Sequence, residues 1–176
     1  MTKEFRDAGF DAVGIDYGRN KDRPETKHYV ELDLSKEWGV EELKVILKKR
    51  KVKITFMAPP CGSASAARLI RRKHGPDPKP FRTHRHPDGL PNLGWTDGQR
   101  VRSANALYKV AADLALWCQR NGVCWVIENP TNSLMWETTP FVELVAQLKQ
   151  MGAPPRWAHM QMCMHGGSRE ASCMAV

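Results

Sequence analysis

Four side chains suited to chemistry are spaced along the 176-residue chain: Asp16, Asp33, Cys61 and Glu128. Each closes or follows a short apolar run. Cys61 lies in APPCGSAS, behind the hydrophobic stretch VKITFMA (52–58) and two prolines. A thiol at the end of a buried strand, on a turn stiffened by Pro59 and Pro60, is held at a rim rather than sealed in a core. Arg68, Arg71, Arg72 and Lys73 follow it closely. Nearby cations favour the thiolate, which is the nucleophilic form of cysteine. Glu128, in WVIENP, offers a carboxyl group for acid assistance. The competing readings are an inert buried thiol at 61 and plain turn or helix-capping acids at 16 and 33.

The positions of these residues follow from the elements around them. Residues 3–9 read as the tail of a helix stopped by Gly9. Strands are expected at 10–16, 28–33, 52–58, 123–130 and 156–163. Between them come three amphipathic helices. The first spans 36–50, capped by Asp33 or Ser35, with Trp38, Leu43, Ile46 and Leu47 as its stripe. The second spans 97–121, carries Val101, Ala104, Leu107, Tyr108, Ala111, Leu114 and Ala115, and is closed by Asn121-Gly122. The third spans 138–151. A long loop rich in Pro, Gly and His covers 73–96, and a short glycine-bearing tail ends the chain. Alternating strands and helices predict a single α/β domain over 1–176 with a mostly parallel sheet. In such sheets ligands gather at the carboxyl ends of the strands. All four reactive side chains fall at those ends, which points to one site.

Composition narrows the setting. At 41% hydrophobic and 26% charged, the chain reads as globular, and no apolar stretch approaches the ~20 residues of a membrane span. The N-terminus, MTKEFRDAGF, has no apolar block of the signal-peptide kind. An intracellular location, nuclear or cytoplasmic, with no membrane partner is the expectation. Five cysteines without a CxxC pair suggest free thiols and no metal site. The net charge is +8, from 27 Lys and Arg against 19 Asp and Glu. It is concentrated between Arg68 and His86, where seven Lys or Arg and three His stand against one acid, Asp77. Such a cluster suits nucleic-acid phosphates, contacted by Arg68, Arg71, Arg72, Lys73, Arg82 and Arg85, or else a solvated face. A second cluster, KKRKVK at 48–53, fits either of those roles or the end of a helix.

The pair APPCGSAS and WVIENP, in that order and some 60 residues apart, resembles two motifs of the cytosine-5 DNA methyltransferases. AGFDAVGID and ELDL resemble two further stretches of that family, and HGGSRE is a weaker echo; the similarity covers about residues 3–130. The resemblance implies a three-layer, Rossmann-like class I methyltransferase fold and S-adenosylmethionine as cofactor. It makes Cys61 the nucleophile that adds to C6 of cytosine, and Glu128 the acid at the N3 and amino edge, with Asn129 and Pro130 shaping the turn. Asp16 would bind the cofactor ribose, Asp33 and Leu34 its adenine, and Pro60 would line the pocket. Arg169 would contact base or phosphate, and the partner would be DNA or RNA.

This chain departs from the family pattern at Pro130, where valine is usual, and at GSAS after Cys61. No GxGxxG occurs, so the expected sheet lacks its first strand and glycine loop. Two other functions share the same features. One is a non-catalytic nucleic-acid-binding module that keeps the fold and the basic loop. The other is a metal-dependent nuclease built on RTHRHPDGLPNL.

Overall fold

A computed structural model describes residues 2–18, 28–161 and 170–175. The chain divides into two compact units, Met1–Lys51 and Val52–Val176.

The first unit contains α1 (Thr2–Asp7), β1 (Gly14–Asp16), β2 (Tyr29–Glu31) and α2 (Glu37–Lys49). Gly9, at φ +89°, turns the chain after α1. β1 and β2 are parallel, with Gly14 opposite Tyr29 and Asp16 opposite Glu31. Parallel strands end at the same edge, so Asp16 and the segment leading to Asp33 share it. In α2 the buried residues are Gly39, Leu43 and Leu47, a line of i, i+4 neighbours. Trp38, expected in that stripe, is instead 61% exposed, because it stands about 100° around the helix from Gly39. The expected caps also differ. Lys36 occupies the cap position without a side-chain bond, while Asp33 Oδ1 accepts from the Ser35 amide (2.9 Å) and hydroxyl (2.6 Å). That pairing makes a local turn rather than a helix cap.

The second unit contains β3 (Ile54–Met57), α3 (Trp95–Arg120), β4 (Cys124–Asn129), α4 (Thr139–Gln150), β5 (Arg156–Gln161) and β6 (Glu170–Ala175). The strands form one sheet in the order β3-β4-β6-β5. β3 and β4 are parallel, whereas β6 is antiparallel to both of its neighbours. The chain is α/β, with a mixed four-stranded sheet. β6 occupies the stretch read from sequence as a plain tail: only the first four residues of EASCMA alternate, and none is a β-branched or aromatic type that favours strands. α3 is about 39 Å long and buries Val101, Ala104, Tyr108, Ala111, Ala112 and Ala115. Its alanines allow close packing on β4, where Trp125 and Ile127 are fully buried, and on α4, where Phe141, Leu144 and Leu148 face inward. Gly122, at φ +66°, ends α3, and the Val123 amide donates back to the Cys118 carbonyl at 3.0 Å. Among the described residues no helix is long and apolar enough to cross a membrane.

Gly39 sits where α2 meets the backbone of Asp33, and a Cβ there would press into the Asp33 carbonyl. Gly39→Ala is therefore expected to destabilise the first unit by roughly 1–3 kcal/mol, although alanine favours helices by ~1 kcal/mol. Urea unfolding with hydrogen exchange along α2 checks this. A stabilised variant would mean that α2 does not rest on Asp33.

Candidate active site

Two strands and the turns after them assemble the candidate site of the second unit. In the parallel register Met57 stands opposite Ile127, so β3 and β4 end together. The chain then runs from Met57 through Pro59 and Pro60 to Cys61, while β4 continues to Glu128 and Asn129. The two ends are joined directly: Asn129 Nδ2 donates to the Pro59 carbonyl at 2.8 Å. A side chain next to Glu128 thus holds the backbone two residues before Cys61. Side chains alternate along β4. Trp125, Ile127 and Asn129 are buried, whereas Val126 and Glu128 are half-buried on the opposite face.

Burial pushes the Glu128 carboxyl above its ordinary range, because removal from water disfavours the charged form. Cys61 is half-buried and unpaired. Its turn is tied from several sides. The Tyr108 hydroxyl donates to the Pro60 carbonyl (2.7 Å), Arg68 Nε to the Gly62 carbonyl (2.8 Å), and the Ala64 amide to the Cys61 carbonyl (3.0 Å). A 3-10 turn, Ala66–Leu69, follows, started by Ser65 accepting from the Ala67 amide.

Arg82 is the centre of this arrangement and corrects the sequence reading. It was expected on the surface against phosphates, yet it is 1% exposed. Its guanidinium donates to the Pro87 carbonyl (2.7 Å), Asn105 Oδ1 (2.7 Å), Ser63 Oγ (3.0 Å) and the Val101 carbonyl (3.4 Å). It also lies over the Tyr108 ring, 5.3 Å from the centroid. One buried cation therefore joins the Cys61 turn, α3 and the long loop. The next residue of that loop, Asp88, is fixed to α4, its carboxylate accepting from the Thr139 amide (3.0 Å) and hydroxyl (2.6 Å) at the helix start. A carboxylate there satisfies an amide that α4 leaves unpaired.

Arg68 also differs from expectation. Its guanidinium stacks on Phe81 at 4.1 Å and bonds the Gly62 and Lys79 carbonyls, so it serves the turn. Arg71, Arg72, Lys73 and Arg85 are exposed. Arg85 lies in a tight turn closed by reciprocal bonds between Thr83 and His86 (3.3 and 2.9 Å), in which His84 pairs with Glu137 at 2.8 Å. Among the described residues no group of three or more His, Cys, Asp or Glu side chains forms a metal-binding cluster. Arg169 lies outside the described residues.

The acids of the first unit form their own edge. Asp16 is half-buried at the end of β1, its Oδ1 accepting from the Tyr17 amide at 2.8 Å. Hydrogen bonds from Ser35 hold the Asp33 carboxyl below its ordinary range, and Leu34 follows it directly, also half-buried.

Sequence reasoning placed Cys61 and Glu128 at strand ends but missed what supports them. Tyr108 was legible only as a core residue and Asn105 carried no signal. The partners that reveal their roles are backbone carbonyls, which leave no trace in residue type.

No family model matches the chain, and no curated protein matches it. Among solved structures it is similar to the methyltransferase EhMeth of Entamoeba histolytica, with 14% identity and a TM-score of 0.42 over 93% of this chain and 52% of that one. The chain thus spans about half the length of that structure.

Two outcomes follow from the geometry. Arg82→Met leaves Ser63, Asn105 and the Pro87 carbonyl without their donor, and should lower the unfolding free energy by roughly 3 kcal/mol or more; unchanged urea stability would contradict the hub. Glu128, with its folded-state pKa raised, destabilises the fold once ionised. Its favourable contribution is complete below the unfolded pKa and is lost as pH rises through the folded one. Glu128→Gln should therefore stabilise the protein at pH 7 more than at pH 4, as thermal melts at both values will show. Equal shifts would contradict the desolvated carboxyl.

Proposed function

We propose that this chain methylates cytosine at C5 in DNA or RNA, with S-adenosylmethionine as donor and Cys61 as nucleophile. The observation that carries this reading is the shared end of β3 and β4, tied by the Asn129–Pro59 bond. It sets a half-buried thiol and a desolvated carboxyl on neighbouring strand ends, the residue types and order of the resemblance.

The chemistry uses each group in turn. Cytosine C5 is a weak nucleophile. Cys61 Sγ forms a bond to C6 while Glu128 donates a hydrogen bond or proton at N3, and the C5=C6 electron pair moves to C5. Burial raises the Glu128 carboxyl, which favours the protonated form that donates in this step. When bound, S-adenosylmethionine supplies an electrophilic methyl group and departs as a neutral thioether. The C5 proton passes to solvent, the Sγ–C6 bond breaks, Cys61 leaves as thiolate, and any proton delivered to N3 returns to Glu128, which restores the ring. A base must be out of its stack for this attack, and the exposed Arg71, Arg72, Lys73 and Arg85 suit the flanking phosphates.

The first unit suits the cofactor. Asp16 would accept the ribose hydroxyls, and Asp33 with Leu34 would hold the adenine. Two carboxylates at the carboxyl edge of a parallel pair are acceptors of the kind a ribose requires.

Cys61→Ser should abolish transfer of tritium from labelled S-adenosylmethionine to cytosine-containing DNA or RNA while leaving nucleic-acid affinity nearly intact. Glu128→Gln should slow transfer by about 10²–10⁴-fold. Tritium on the substrate with the serine variant at the wild-type rate would remove Cys61 from the mechanism.

A further inference from the structure

The turn that carries the thiol has every carbonyl from 59 to 62 engaged: Pro59 with Asn129, Pro60 with Tyr108, Cys61 with Ala64 and Gly62 with Arg68. The prolines at 59 and 60 have no amide to satisfy. The amides of Cys61, Gly62 and Ser63 meet no protein acceptor among the described residues. The backbone of the turn is thus held through its carbonyls, with these amides left without a protein partner, while the Ser63 side chain also hydrogen-bonds the Tyr108 hydroxyl. Within this set Tyr108 has a special place. Its hydroxyl reaches the carbonyl of the residue directly before Cys61, across 48 positions of sequence. The ring is fully buried, edge-on to Phe141 at 6.2 Å and beneath the Arg82 guanidinium. Asn129 and Arg82 act one or two residues farther away. Arg68, although adjacent in effect at Gly62, is only half-buried and has a flexible stem.

We propose that Tyr108 is a positioning residue that sets the Cys61 thiol for attack by gripping the Pro60 carbonyl from α3. This role rests on the reading of Cys61 as nucleophile. Burial raises the Tyr108 pKa above that of an ordinary phenol, so the hydroxyl remains a donor at all working pH values. Without that bond the Pro60 carbonyl loses its partner and the peptide before Cys61 is free to rotate. Misplacement of a reacting atom by ~1 Å lowers rates by up to about 100-fold. The phosphates, ribose and adenine are assigned to other residues, so the loss should appear chiefly in kcat for nucleic acid rather than in its KM.

Tyr108→Phe keeps the ring and removes only the hydroxyl. It should lower kcat for methyl transfer about 10- to 100-fold with KM little changed. It should also raise the rate at which iodoacetamide labels Cys61, measured by site-resolved mass spectrometry against the exposed Cys124. Phe141→Leu serves as the control: it loosens the same aromatic cluster but leaves the Tyr108–Pro60 bond, and should lower the melting temperature without changing Cys61 labelling. If both variants alter Cys61 labelling equally, or if Tyr108→Phe alters neither labelling nor kcat, the positioning role is wrong. If the wild-type protein transfers no methyl group, the methylation reading fails separately, and the labelling comparison alone decides the role of Tyr108.

Discussion

A guanidinium taken out of water needs acceptors, and Arg82 finds them for its two terminal nitrogens in three segments of the second unit, while its Nε meets none among the described residues. Ser63 comes from the thiol turn, Asn105 and the Val101 carbonyl from α3, and the Pro87 carbonyl from the long loop. None of these is a carboxylate, although Asp88 lies near enough to favour the positive charge. Such a buried cation is costly to strand and therefore strongly specifies the arrangement that satisfies it. The turn, the helix and the loop are consequently one body. The thiol is placed by this network rather than by its own short turn.

The second constraint is the register of β3 and β4. A shift by one residue would exchange the faces of every side chain, moving Glu128 onto the α3 side and Ile127 away from it. The alternation of buried Trp125, Ile127 and Asn129 opposes that slip, and the Asn129–Pro59 bond marks the register at the site itself. The pairing that anchors the core thus also puts Glu128 where partial burial raises its carboxyl. Packing, register and acid strength are linked through six residues of one strand.

Much of this was legible in the sequence. The apolar runs, Gly9 and Asn121-Gly122 marked most elements in order, and the strand-end rule drew attention to Cys61 and Glu128. What escaped has physical causes. Arg82 belongs to a run of seven Lys and Arg that looks uniformly solvated; only the convergence of distant carbonyls shows that one of them is internal. The tie of Arg68 to the turn carries no sequence signal either, since stacking on Phe81 is a tertiary contact. Trp38 was assigned to the stripe by hydrophobicity, whereas its angle around α2 excludes it. β6 pairs through its backbone, and none of its residues is a β-branched or aromatic type.

The central claim is a covalent bond between Cys61 and a cytosine ring. Its most direct test uses an oligonucleotide containing 5-fluorocytosine, incubated with the protein and S-adenosylmethionine and analysed by peptide mass spectrometry. Fluorine at C5 cannot leave as a proton would, so the adduct is trapped after methyl transfer. The expected product is a peptide whose Cys61 is bonded to the nucleotide, with the methyl group on C5 of that nucleotide. A cross-link on another residue, or none with substrate and donor both bound, would contradict it.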